Sequence, residues 1–200
     1  MKVGLIPTGI ANVASVTRGL ERLGATVERV EDGEAAARVD RLVLPGVGAF
    51  SAAMEVLRAR GFDRAIRAHV EAKKPLLAVC LGFQLLGASS EEAAGTAGLG
   101  IHDGAFVRFG PDVRCPHLGW NSIEPEPGCR HLRSGHVFFA HSFRLREPPA
   151  GWRVATADHQ GPFVAAVERG PILATQFHPE LSGVIGKNLL ERWLQGASSC

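Results

Sequence analysis

Four apolar residues, Leu76 to Val79, run straight into Cys80, and a helical pattern in Leu81, Phe83 and Leu85 or Leu86 begins at once. No turn-forming residues separate the two. A strand that feeds a helix directly holds the residue at the junction in a strained backbone conformation and projects its side chain above the sheet. Gly82 suits a close approach of that helix to a strand. A cysteine at such a junction sits at a helix N-terminus, where unpaired N–H groups and the macrodipole favour the thiolate. The same N–H groups can hold an oxyanion, and loss of one such donor typically costs ~3–4 kcal/mol of transition-state stabilisation. The competing reading is a small buried core cysteine. Ala78 also stands where such turns often carry glycine.

The surrounding pattern places this junction in an α/β sheet. Strand-like runs at 2–6, 25–30, 41–45 and 75–79 alternate with helical stretches over 12–23, 49–60 and 62–72. Such alternation implies a mostly parallel central sheet with helices on both faces. From Val107 onward the pieces become short and β-like: 136–141, 152–157, 163–168 and 172–177. Their close spacing predicts hairpins, hence a smaller antiparallel β portion in the second half. A helix over Gly183 to Leu194 follows, burying Ile185, Leu189, Leu190 and Trp193, and GASSC reads as a frayed tail. With no repeat, linker or low-complexity block, residues 1–200 read as a single domain.

Composition narrows the function classes. A net charge of +2 is too small to argue for nucleic acid or an anionic membrane as partner. The opening run is short and interrupted by Pro7, which is not a signal-peptide pattern, and no stretch is apolar enough to span a bilayer. The expectation is a cytoplasmic protein. In a reducing compartment Cys80, Cys115, Cys129 and Cys200 form no disulfide framework.

A partner for Cys80 is visible near the C-terminus, where the apolar run 172–177 ends in His178, Pro179 and Glu180. Proline biases His178 towards extended geometry. Residues two apart in an extended segment share a side, so the Glu180 carboxylate can fix the imidazole tautomer and leave the other nitrogen to face a thiol. A surface His-Pro-Glu arising by chance is the alternative. It weakens because Cys80 and His178 both follow apolar strand runs and can meet at one sheet edge. A third strand-end loop, Pro45 to Phe50, carries Gly46 and Gly48, which expose backbone N–H groups. It lacks the Gly-Lys-Ser/Thr ending of a phosphate loop, and alone it reads as a plain turn.

Taken in order, PGVGAF (45–50), CLGFQLL (80–86), the SSEE and GLG of 89–100, HLGWN (117–121), HSF (141–143) and QFHPE–S (176–182) resemble the class I (triad) glutamine amidotransferases. The likeness spans nearly the whole chain. PGVGAF with HLGWN resembles the branch that feeds ammonia to a (β/α)8-barrel cyclase in histidine biosynthesis. The resemblance implies a flavodoxin-like fold and glutamine hydrolysis by a catalytic triad of Cys80, His178 and Glu180. It implies an oxyanion hole from Val47 or Gly48 with Leu81, and a glutamine site from Gly48, Gln84, Glu92, His141, Ser142 and Phe143. It further implies a 1:1 heterodimer with the cyclase through a surface that includes Asn12 and Trp120, and neither cofactor nor metal.

Three departures from the family pattern bear on docking: Leu181 where lysine is frequent, Phe138 and Phe143 where tyrosine is common, and PTGIAN where an acidic-aromatic start is frequent. A glutaminase for another acceptor, such as that of pyridoxal phosphate synthase, shares the chemistry but not HLGWN or PGVGAF. A non-catalytic docking subunit and a cysteine hydrolase of the same fold are the readings from other classes. The pairs Cys115/His117 and Cys129/His131 have a spacing uncommon for zinc. His69, His102, His136 and His159 read as ordinary surface or core histidines.

Overall fold

The computed structural model describes residues 2–8 and 13–196; the expected interface residue Asn12, Cys200 and the GASSC tail from 197 on lie outside the described residues. The first half winds through β1 (Lys2–Leu5), α1 (Val13–Glu21), β2 (Thr26–Arg29), α2 (Gly33–Ala37), β3 (Leu42–Leu44), α3 (Phe50–Ala59), α4 (Phe62–Glu71), β4 (Leu76–Val79) and α5 (Leu81–Leu86). The second half adds β5 (Ser89–Ser90), β6 (Ala105–Arg108), β7 (His117–Pro125), β8 (Gly135–His141), β9 (Phe143–Leu145), β10 (Arg153–Asp158), β11 (Pro162–Arg169), β12 (Ile172–Thr175) and α6 (Gly183–Gln195).

The strands join in the order β2-β1-β3-β4-β12-β11-β10-β7-β8, with β5, β6 and β9 pairing off that path. The run from β2 to β12 is parallel, and every pair from β12 to β8 is antiparallel. The parallel sheet expected from alternation and the antiparallel portion expected from the closely spaced later strands are both present, joined in one sheet, and the parallel part carries Cys80. Because β4 and β12 are parallel neighbours with Val79 opposite Thr175, their C-terminal ends emerge side by side.

Strand periodicity explains the layers. Along β4, Leu76 and Ala78 face a core built with α2, α3, α4 and α5, which includes Phe50, Leu57, Phe62 and Phe83. Leu77 and Val79 face the opposite core, where α1 inserts Val16 and Leu20 and α6 inserts Leu189, Leu190 and Trp193. Ile185, expected to be buried, is only partly so and packs on the edge of that core. Each fully buried Leu, Phe or Trp side chain contributes roughly 1.5–3 kcal/mol by leaving water, so the sheet edge is held from both faces.

The helix α2 and the strands β5, β6, β7 and β9 have no counterpart among the runs read from the sequence. The helix α2 is short and is started by Asp32, whose carboxylate accepts the Ala35 N–H at 2.8 Å. The HLGWN segment forms the first part of β7, paired residue for residue with β8 from His117 opposite His141 to Ile123 opposite Gly135. No helix among the described residues is long and apolar enough to cross a membrane.

Candidate active site

Cys80 occupies the junction between β4 and α5 with φ 54° and ψ −110°, a left-side conformation that costs an L-residue on the order of 1–3 kcal/mol. Its backbone is pinned there. The Cys80 N–H extends the β4–β12 ladder by donating to Thr175 O at 2.7 Å, while Cys80 O accepts from Gln84 N at 3.3 Å and starts the helix. Gly82 allows the turn to be this sharp, because a Cβ on it would lie 1.9 Å from Leu44 O.

His178 follows β12 and turns away from that ladder. Its N–H donates to Phe138 O of β8 at 2.9 Å. Ser182 ties the same turn twice, donating its hydroxyl to His178 O at 2.6 Å and accepting from Phe138 N at 3.0 Å. The ring thus has a fixed place from which Nδ1 meets Glu180 Oε1 at 2.9 Å, with only 9% and 2% of the two side chains exposed. Burial by itself lowers the imidazole's proton affinity. Hydrogen bonds from the ring to Cys80 and to Glu180, with the charges of both, outweigh it and push His178 up to about 10. At neutral pH the ring is an imidazolium beside the sulfur, the partner a thiolate requires.

Cys80 and His178 line a cavity of about 320 Å³. Every residue that the resemblance assigned to glutamine or the oxyanion lines it: Val47, Gly48, Leu81, Gln84, Glu92, His141, Ser142 and Phe143. Burial raises the Glu92 carboxyl, opposed by a hydrogen bond from the Phe50 N–H at the start of α3. The Leu81 N–H donates to Gly46 O at 3.4 Å, and Gly48 has a φ of +106°. Pro116 and the exposed Leu118 also line the cavity. Beyond it Trp120 is 57% exposed, with its ring edge-on to Phe138.

Sequence reasoning missed three contributors. Gln176 is fully buried between Gln84 and Cys80. Ser182 anchors the His178 turn, and its position in QFHPE–S was the available signal. His117 and Asn121 of HLGWN form a relay: Asn121 Nδ2 to His117 Nε2 at 3.3 Å, His117 Nδ1 to His141 Nε2 at 3.0 Å, and His141 Nδ1 to Phe143 O at 2.8 Å. Working back from the Phe143 carbonyl, which only accepts, fixes the proton on Nδ1 of both rings. The Cys115 thiol instead points to Ser142 O and the Cys129 thiol to Val154 O. Among the described residues no group of three or more His, Cys, Asp or Glu side chains gathers as a metal site.

The relay carries a pH dependence. Burial is the main cause that holds His141 down to about 3 and His117 to about 4, and His102 falls to about 4 for the same reason. Between their unfolded value of 6.5 and about 4, the unfolded chain binds protons that the folded chain refuses, so stability falls as pH drops. His178 acts in the opposite window: its contribution is complete below pH 6.5 and is lost as pH rises towards 10. Each refused proton is worth up to about 1.4 kcal/mol per pH unit. Urea unfolding is expected to show a loss of order 2–3 kcal/mol between pH 6 and pH 5. Equal stability at the two values would mean that the rings are protonated in the fold.

Comparison with known proteins points in one direction. A family model described as Glutamine amidotransferase class-I matches residues 5–195. The chain is 41% identical over 203 residues to imidazole glycerol phosphate synthase subunit HisH of Synechococcus sp. (strain JA-3-3Ab), covering 98% of this chain and 94% of that one. It is 37% identical to imidazole glycerol phosphate synthase hisHF, chloroplastic, of Arabidopsis thaliana, over 96% of this chain but 34% of the plant protein. Among solved structures, one titled "Crystal structure of glutamine amidotransferase" superposes with a TM-score of 0.79 at 24% identity, covering 98% of this chain and 99% of its own, which supports the fold.

Proposed function

The chain belongs to the class-I glutamine amidotransferase family, in the branch of imidazole glycerol phosphate synthase subunit HisH, and from that premise we propose how its site works. It hydrolyses glutamine to glutamate and ammonia for imidazole glycerol phosphate synthase in histidine biosynthesis. The relatives do not favour the pyridoxal phosphate synthase alternative. The observation that carries the mechanism is the strained Cys80 hydrogen-bonded to an imidazole that is itself paired with Glu180, in the lining of a cavity.

The Cys80 thiolate attacks the side-chain carboxamide carbon of glutamine, and the carbonyl electrons move to oxygen. Collapse of this intermediate breaks the C–N bond as the His178 imidazolium donates its proton to the leaving ammonia, which leaves a thioester. Neutral His178 then takes a proton from water, whose oxygen attacks the thioester. Glutamate departs, and the thiolate and imidazolium are restored. Glu180 keeps the ring oriented and offsets its charge throughout. Gly48, Gln84, Glu92 and the edge from His141 to Phe143 hold the amino-acid end of the substrate.

The oxyanion would rest on the N–H groups of Leu81 and of Val47 or Gly48. Gly46 O accepts from Leu81 N, so this carbonyl stands where an oxyanion would accept. The loop from Pro45 to Gly48 must rotate a peptide to complete the hole. We place control of activity there, with docking of the cyclase subunit as the trigger. A 1:1 heterodimer with a (β/α)8-barrel cyclase is supported by an apolar surface beside the cavity. Leu118 is 67% exposed, Trp120 57%, Leu181 41% and Val184 71%. A Cβ on Gly183 would approach the tip of the Trp120 ring at 3.9 Å, which joins β7 to the start of α6 across this patch. Leu181, where the family often has lysine, makes the patch more apolar here.

Ammonia release from glutamine by the chain alone and with the cyclase and its nucleotide ligand tests both parts. A rate at least about 100-fold higher in the complex is expected from restoring one oxyanion donor. Equal rates would remove the gating loop, and failure of the two chains to co-purify would remove the heterodimer.

A further inference from the structure

Cys80 Sγ has two hydrogen-bond neighbours besides His178. Ala140 O lies at 3.8 Å and can only accept, so it serves the protonated thiol. Gln176 Nε2 also lies at 3.8 Å, and it donates. Gln176 follows the last residue of β12 and is held by its own backbone, whose N–H donates to Ala165 O at 2.8 Å. Its side-chain carbonyl accepts from Gln84 Nε2 at 3.2 Å, and Gln84 itself is 4% exposed.

Two buried amides beside an apolar core are costly unless each is matched. Gln84 donates to Gln176 and Gln176 donates to the sulfur; a thiol sulfur accepts this bond only weakly, whereas with the sulfur ionised the bond is charge-assisted and about twice as strong. The small facing pair Ala78 and Ala174, in register on β4 and β12, lies two residues before Cys80 and Gln176. The other titratable groups lining the same cavity are His178, which follows β12, His141 at the end of β8, and Glu92.

We propose that Gln176 is a second hydrogen-bond donor to the Cys80 thiolate, oriented by Gln84, and that the buried amide pair selects the ionised nucleophile over the thiol. The inference rests on Cys80 being the nucleophile. It gives Gln176 a role separate from the triad: the amide transfers no proton and holds negative charge on sulfur before glutamine arrives. Gln84 then has two duties, since it lines the glutamine cavity as well as fixing Gln176.

The test is the pH profile of Cys80 alkylation by iodoacetamide, followed by mass on the intact chain, beside glutamine hydrolysis by the complex with cyclase. Gln176→Met keeps length and volume without a donor. It is expected to move the alkylation midpoint up by about one pH unit and to lower kcat about tenfold, with KM for glutamine within about twofold. Gln84→Met leaves the donor but unpins it, and a smaller shift in the same direction is expected. An unmoved midpoint in Gln176→Met overturns the proposal; should that variant fail to fold by circular dichroism, an unmoved midpoint in Gln84→Met does so. A wild-type Cys80 that resists alkylation across the whole range would instead sink the nucleophile assignment itself.

Discussion

Replacing Cys80 by alanine is expected to lower glutamine hydrolysis by at least about 10⁴-fold while leaving the fold and the association with the cyclase intact. Cys80 is 7% exposed and its side chain is small, so truncation opens little space. What it removes is the atom that bonds to the carboxamide carbon. The serine variant makes the stronger statement. In a serine hydrolase a neutral imidazole takes the hydroxyl proton. Here the causes that raise His178 begin with its hydrogen bond to Cys80 and include the charge on the sulfur, so the variant loses much of what holds the ring protonated and offers a neutral hydroxyl in place of a preformed thiolate. Cys80→Ser should therefore be almost as inactive as Cys80→Ala, although an oxygen occupies the place of the sulfur. Ammonia release by the purified complex measures both. A serine variant within about 100-fold of wild type would mean that a preformed thiolate is not what sets the rate, contrary to the ion-pair reading.

Much of this site was legible before any coordinates, for identifiable reasons. Cys80 and His178 each follow a run of apolar residues, and parallel neighbouring strands deliver their C-terminal ends to one edge. The pairing of His178 with Glu180 was legible, but an extended run is not its cause: His178 is extended while Pro179–Leu181 forms a 3₁₀ turn, and that turn brings the carboxylate to Nδ1. Gln176 was not legible, because Thr175 and Gln176 look like the polar end of a strand although both are fully buried. Only the packing of α5 against β12 shows that an amide there has another amide to meet. The relay of His117, Asn121 and His141 was hidden for a related reason. In β7, Gly119 and Asn121 depress strand propensity, and exposed residues alternate with partly buried ones. The segment therefore read as a motif, and its pairing with β8, which brings His117 opposite His141, depends on residues 24 positions away. Helix α2 escaped because five residues carry too little periodicity to register.

The backbone that places the triad depends on two glycines, and their substitution is expected to produce the largest losses of stability. On α5, a Cβ at Gly82 would stand 1.9 Å from Leu44 O of β3. On α6, a Cβ at Gly186 would stand 1.9 Å from Pro179 O, inside the His-Pro-Glu turn. In both places the obstacle is backbone, which no rotamer change relieves, so a helix must move off its neighbour. Gly82→Ala and Gly186→Ala are each expected to cost more than about 3 kcal/mol in urea unfolding. The functional consequences should differ in kind. Lifting α5 moves the Leu81 N–H and the sulfur together, whereas lifting α6 moves Ser182 and loosens the ring that Ser182 anchors through His178 O. Gly110→Ala is the control, since nothing lies within 4 Å of its Cβ, and a change within about 0.5 kcal/mol is expected there. If Gly82→Ala unfolded at the wild-type urea concentration and kept its rate of glutamine hydrolysis, the close seating of α5 on β3 would not be what holds Cys80 in its strained conformation.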